Sequence, residues 1–194
     1  MEQKWKELLK DTKVIPSAST IEQLKYIVEE TTFPCVMVKL GDINNIEKIV
    51  AYVHQKKKAI MLHMDSVKGI SNEKAGFHYL KRIGVDAINT MKPQYIRMIK
   101  EENMLAVLGT FLVDSASISN TFQNIYANKP DAVIVMPMTV PDEIYLNLME
   151  NTKIPILGGG LGIRQDIVDH VLELGVASCV VTDRQVYKKF EKRR

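Results

Sequence analysis

The residues with the most chemistry to offer stand at the ends of short apolar runs. Lys39 closes the run Cys35–Leu40, and with period-2 alternation it shares a face with Cys35 and Met37. If that face points inward, its ammonium projects where a ligand could meet it. The alternative is a lysine whose stem is covered and whose head reaches solvent. His63-Met-Asp65 ends the next run, and the same alternation puts His63 and Asp65 on one face. A carboxylate beside an imidazole orients the ring and raises its pKa, which suits ligand contact or acid-base work. The alternative is a pair that only closes the structure locally. Gly158-Gly-Gly-Leu-Gly162 ends a later run and precedes a helical pattern. Glycines let backbone N–H groups approach an anion, and a helix N-terminus adds partial positive charge.

These groups need a scaffold that brings run ends together. Eight apolar runs recur along the chain: Val14–Ala18, Cys35–Leu40, Ala59–Met64, Asp86–Thr90, Leu105–Val113, Ala132–Pro137, Ile154–Gly158 and Ala177–Thr182. Most lack polar alternation, as strands buried on both faces do. Helical periodicity fills most of the gaps, over Ile43–Gln55, Pro93–Asn103, Ser115–Asn128, Pro141–Asn151 and Gln165–Leu174, the last ending at Gly175. Glu22–Glu30 is the helix candidate of the first, least regular gap. Asp114 or Ser115 reads as an N-cap, and Pro137 with Pro141 makes a rigid loop.

Eight strand-helix steps in 194 residues predict an α/β fold: a compact single-domain (β/α)8 TIM-like barrel spanning residues 1–194, with trimmed loops. An open doubly wound sheet is the runner-up. In such barrels the working face is the carboxyl end of the strands, where Lys39, His63, Asp65, Lys92 and the Gly158–Leu161 turn all fall. The loop after the seventh strand is also where these barrels recurrently hold phosphate.

A net charge of +3 is too weak to demand a nucleic-acid partner, but basic residues cluster. Lys56, Lys57 and Lys58 are consecutive. A basic tail from about 184 carries Arg184, Lys188, Lys189, Lys192, Arg193 and Arg194, with Tyr187 and Phe190 interleaved. Such a mixture can grip an RNA backbone and stack bases. A solvated helix end with a frayed terminus is the alternative. Cys35 and Cys179 sit in apolar runs and form no CxxC pair, so buried free thiols are expected and a metal site is not. No run approaches the ~20 apolar residues of a membrane span. The charged N-terminal segment lacks the apolar core of a signal peptide, so a cytoplasmic location is expected.

One family shares this order of motifs. Leu40-Gly-Asp-Ile43, His63-Met-Asp65 with Gly69 and Ile70, and Asp86 with Lys92 come first. Phe111-Leu-Val-Asp-Ser115, Pro130-Asp131, Pro137 with Pro141, and Pro155 with Gly158-Gly-Gly-Leu161 follow. Over about Val14 to Tyr187 the chain resembles the glycerol-3-phosphate-responsive antiterminators, regulators of bacterial glycerol-uptake operons. The resemblance implies a barrel that binds glycerol 3-phosphate at its mouth, with the phosphate near Gly159 and Gly160. It also implies binding of a messenger-RNA leader, no catalysis and no cofactor. The expected ligand set is Lys39, His63, Asp65, Lys92, Gly158, Gly159, Gly160, Leu161 and Thr182. A homodimer is left open.

The chain departs from the family pattern in several places. Gly109 stands where an arginine is usual, Met138 where a glycine is usual, and Ser17-Ala-Ser19 where a charged residue is usual. Val180 and Val181 replace hydroxyl residues, though Thr182 keeps one. Asp183 brings a carboxylate towards the expected phosphate, which repels it unless offset. Two other readings follow: a barrel enzyme using Lys39, His63 and Asp65 on a small phosphorylated substrate, and a divergent paralogue whose ligand has changed or been lost.

Overall fold

The β-branched and aliphatic runs form eight parallel strands. They are β1 (Val14–Ala18), β2 (Cys35–Val38), β3 (Ala59–His63), β4 (Ala87–Thr90), β5 (Leu105–Phe111), β6 (Ala132–Met136), β7 (Ile156–Gly159) and β8 (Ser178–Val181). The computed structural model describes Gln3, Leu9 and residues 12–191. Each strand pairs with the next, and β8 pairs back onto β1 through Val14↔Cys179, Ile15↔Val180 and Pro16↔Val181. That closure makes a barrel and rules out the open sheet.

Alternation along each strand divides the apolar residues between two compartments. Ile15, Cys35, Met37, Met61, Ala87, Val107, Ile134, Leu157 and Val180 fill the barrel interior, with Leu9 packed among them. Val14, Val36, Val38, Ile60, Leu62, Val133, Val135 and Val181 face outward and pack under the helices. Burial pushes the thiol pKa of Cys35 well above its ordinary range. Cys179 is also buried and free, its pKa pushed up to about 12 by burial. Both thiols are therefore held protonated and inert.

The helices are α1 (Ile21–Glu30), α2 (Ile46–Gln55), α3 (Lys74–Arg82), α4 (Ile96–Glu101), α5 (Ser115–Asn128), α6 (Asp142–Asn151), α7 (Gln165–Glu173) and α8 (Arg184–Tyr187). Asp114 caps α5 as its type predicts, accepting from the Ser117 N–H at 2.7 Å in a capping box. Two expected helices are shorter in the structure. The Ile43–Gln55 pattern becomes helical only from Ile46, and Pro93–Tyr95 is a 3-10 turn leading into α4. Helix α3 has no counterpart in the periodicity, because only Phe77 and Leu80 of its apolar residues are buried.

The amino ends of the strands are tied by one device used twice. Asp86 accepts from the Ile60 N–H at 2.9 Å and meets His54 Nε2 at 2.9 Å. Asp131 accepts from the Ala106 N–H at 2.9 Å and pairs with Lys100 Nζ at 2.9 Å. Both aspartates lie at the face opposite the strand carboxyl ends, where barrel residues serve stability.

Residues 184–191 are not a frayed terminus. Val186 and Tyr187 are buried, and the Tyr187 ring meets Phe33 edge-on at 5.9 Å. Glu191 accepts from the Thr32 N–H at 2.7 Å. Lys192, Arg193 and Arg194 lie outside the described residues. No helix among the described residues is long and apolar enough to cross a membrane.

Candidate ligand site at the barrel mouth

Lys39 and His63 meet because of strand register. Strand β2 pairs with β3 through Cys35↔Ala59 and Met37↔Met61, so the next inward pair up is Lys39 and His63. Adjacent strands lie roughly 4.8 Å apart, which makes these two side chains neighbours at the mouth. Cys35 and Met37 below Lys39 belong to the barrel interior, so the inward reading of Lys39 is the one realised. Lys39 is half-buried, and burial lowers its pKa. Among the described residues it has no carboxylate or carbonyl partner. The imidazole of His63 is lowered by burial first and by the Lys39 charge second, with Asp65 opposing both. It is therefore mostly neutral near pH 7.

The expected His63–Asp65 hydrogen bond does not form. The chain leaves β3 in a 3-10 turn at Met64–Ser66, which breaks the period-2 alternation. His63 Nδ1 instead bonds Ser66 Oγ at 3.0 Å. Asp65 turns towards β4, accepting from the Met91 N–H at 2.9 Å and from Thr90 Oγ1 at 3.3 Å. Lys92 Nζ lies 4.0 Å from Asp65 Oδ1 and 5.5 Å from the Tyr95 ring centre. Asp65 and Lys92 thus form a pair at the rim, apart from the Lys39–His63 pair.

On the opposite side of the mouth the wall is close. A Cβ on Gly109 would stand 2.4 Å from Met91 Sδ and 3.3 Å from both Asn89 Nδ2 and Met136 Cε. The space an inward side chain at 109 would need is thus taken by Met91. A Cβ on Gly159 would meet Ile134 Cγ2 at 2.6 Å. The mouth therefore carries Lys39 on the β2–β3 side, and Met91 and Met136 line the β5–β6 side beside the buried Asn89 amide.

The glycine turn closes the gap between them. Gly160 and Leu161 both adopt positive φ, 68° and 55°, so the chain reverses sharply before α7. Met138 lies under this turn, fully buried, with its N–H donating to the Gly160 carbonyl at 3.2 Å. Its Cε is 2.8 Å from where a Gly162 Cβ would be. A methionine where the family usually has glycine thus supports the turn from below. Of the two valines, Val180 faces the barrel interior and Val181 packs outward. The Ser17 and Thr182 hydroxyls are 2.7 Å apart where β1 meets β8. Asp183 turns away from the mouth to cap α8, accepting from the Gln185 and Val186 N–H groups at 2.8 and 3.2 Å.

Outside the turn, an open groove is lined by Arg164, Asp166, Asp169, Asp183 and Lys189. Arg164 is already paired with Asp166. With that pair set aside, two carboxylates, Asp169 and Asp183, stand against Lys189, which disfavours a phosphate there.

The basic residues gather elsewhere. Arg184 stacks on the Tyr26 ring at 3.3 Å and Lys188 lies 5.3 Å from the same ring. Sequence reasoning did not single out Tyr26; its place on α1 opposite α8 is a tertiary fact. Lys56 and Lys57 border a second groove at the turn between α1 and β2, with Thr31, Thr32 and Phe33. The Glu191–Thr32 bond brings the carboxyl-terminal segment to that same turn. Lys58 is different. It is buried and donates to the Thr31 and Phe33 carbonyls at 2.7 Å each. Its ammonium is spent inside the fold, so the expectation that all three lysines of the run offer charge to RNA is corrected for Lys58.

Uncharacterized protein YgcP of Escherichia coli strain K12 is 24% identical over 182 residues, covering 93% of this chain and 94% of that one. The glycerol uptake operon antiterminator regulatory protein of Listeria monocytogenes str. 4b F2365 superposes with a TM-score of 0.84 at 22% identity, over 90% of this chain and 94% of that chain. A glycerol uptake operon antiterminator-related protein of Thermotoga maritima MSB8 gives 0.81 at 21% identity, over 91% and 98%. At these identities the likeness in structure establishes the shared barrel. The family model described as glycerol-3-phosphate responsive antiterminator matches residues 14–187, nearly the whole barrel and α8, and the chain belongs to that family.

Proposed function

We propose that this protein is a cytoplasmic transcription antiterminator that binds a small phosphorylated metabolite in its barrel mouth and a messenger-RNA leader on its α1–α8 face. The observation that carries the ligand half is Lys39: a half-buried ammonium with no carboxylate partner among the described residues, at the inner wall of the mouth beside a neutral His63. A charged group lacking a counter-charge is the group an anionic ligand would complete. In this reading Lys39 and His63 contact the phosphate. Gly158, Gly159, Gly160 and Leu161 offer backbone, and Thr182 a hydroxyl. Asp65 and Lys92 order the rim. Glycerol 3-phosphate, the ligand in the family's name, fits the charge pattern: its phosphate meets the cationic side and its carbon chain the wall of Met91 and Met136. The chain works as one domain and uses no cofactor.

The RNA half rests on the cation-aromatic surface of Tyr26, Arg184 and Lys188, continued by Lys56 and Lys57; Lys189 and, further along the sequence, Lys192, Arg193 and Arg194 are the other cations of this reading. Arg184 is two residues from Thr182, so a ligand that orders the end of β8 would also bias the start of α8. Coupling of that kind requires the ligand to prefer one arrangement of this segment. The expected result is that leader RNA of the protein's own operon binds more tightly with glycerol 3-phosphate present, by about 5-fold or more. Affinity should fall steeply with salt. Filter binding or fluorescence anisotropy measures both. No RNA binding at low salt, with or without the metabolite, would overturn the reading.

A further inference from the structure

The half-buried position of Lys39 suits a second role beside holding an anion. The desolvation that strengthens its pull on a phosphate also favours its uncharged amine. Among the described residues no carboxylate pairs with Lys39, and the side chain is only partly exposed. Met91 fills the volume above Gly109 and Met136 lies close to it, so two thioethers line the wall there beside the Asn89 amide. Desolvation lowers the lysine pKa and raises the share of free amine, the form that attacks a carbonyl carbon. His63 stands level with it, its Nδ1 held by Ser66 Oγ. That leaves Nε2 to exchange protons.

From this placement we propose that Lys39 forms a reversible imine with a small phosphorylated aldehyde or ketone whose phosphate rests on the Gly158–Leu161 backbone, so that the mouth also captures carbonyl-bearing phosphate esters. The lysine nitrogen lone pair adds to the carbonyl carbon, and the C=O pair moves to oxygen. The proton lost from nitrogen passes through His63 to that oxygen, giving a carbinolamine. The hydroxyl takes the remaining nitrogen proton, again relayed by His63, and leaves as water while the nitrogen lone pair forms the C=N bond. Amine and carbonyl become imine and water, and no oxidant or reductant is consumed. The inference rests on the mouth being the ligand site, and the experiment separates the two.

The full-length protein is incubated with dihydroxyacetone phosphate, reduced with sodium borohydride, and mapped by peptide mass spectrometry. Expected is one reduced triose phosphate per chain, on Lys39, well above the labelling of any surface lysine. Lys39→Arg, checked by an unchanged melting curve, should abolish it. Should that variant melt early, the wild-type map with glycerol 3-phosphate as a competitor carries the same information. Labelling spread evenly over exposed lysines, or unchanged in Lys39→Arg, overturns the imine. Glycerol 3-phosphate has no carbonyl. If it raises the melting temperature while no adduct appears on Lys39, the imine is overturned and the ligand site stands. If the adduct forms on Lys39 but glycerol 3-phosphate fails to protect it, the imine stands and glycerol 3-phosphate is not the ligand.

Discussion

Lys58→Met should lower the unfolding free energy by about 3 kcal/mol, whereas Lys56→Ala and Lys57→Gln should change it by less than about 0.5 kcal/mol. Three consecutive lysines look alike in the sequence, and only the fold distinguishes them. Lys58 donates to the carbonyls of Thr31 and Phe33, at the end of α1 and the approach to β2. Methionine keeps the stem's volume and removes the ammonium, leaving two carbonyls without that donor. Hydrogen bonds from charged donors contribute roughly 1.5–3 kcal/mol each, and a buried acceptor left unpaired costs about 1–3 kcal/mol. The two losses describe the same event and do not simply add. Urea denaturation of the three variants measures the difference. Equal midpoints for all three would show that the Lys58 contacts contribute nothing. The same variants sort the charges for RNA: Lys56→Ala and Lys57→Gln should weaken binding without loss of stability.

Gly76→Ala should destabilise by about 3 kcal/mol or more, against the usual sign of the change. In an exposed helix interior, alanine is better than glycine by up to about 1 kcal/mol. Gly76 lies inside α3 but is buried, and a Cβ there would stand 1.9 Å from the Ser71 carbonyl oxygen and 2.9 Å from its carbon. Both are backbone atoms, so no rotamer change relieves the clash. Either the Ser71–Glu73 loop or the helix must move, and the helix seats Phe77 and Leu80 in the core. Overpacking of this kind costs about 1–3 kcal/mol, occasionally more. Guanidinium denaturation gives the sign directly, and a stabilised variant would mean that the loop yields freely.

The barrel was legible from the apolar runs because strands covered on both faces carry no polar alternation to confuse them. The inward face of β2 was legible too, since Cys35, Met37 and Lys39 follow strict period 2. That logic failed one strand later. His63 and Asp65 have the same spacing, but the backbone enters a 3-10 turn at Met64, so Asp65 serves β4 instead of the imidazole. Helix α3 escaped notice because it is anchored by a glycine contact and two apolar side chains, too few for a helical period. Asp86 and Asp131 matched the family pattern without disclosing their role, which is to hold strand amides and basic partners at the far face. The departures at Gly109 and Met138 became readable only as volumes: Met91 occupies one and Met138 itself fills the other.

The central claim is that the Lys39 side of the mouth takes a small phosphorylated ligand. It is tested most directly by melting wild type and Lys39→Met against rising glycerol 3-phosphate. A ligand at about 100 times its Kd stabilises the native state by about 2.7 kcal/mol. The account predicts a saturable rise in melting temperature for the wild type and its loss in Lys39→Met. No rise at any concentration, or an equal rise in both proteins, would contradict it.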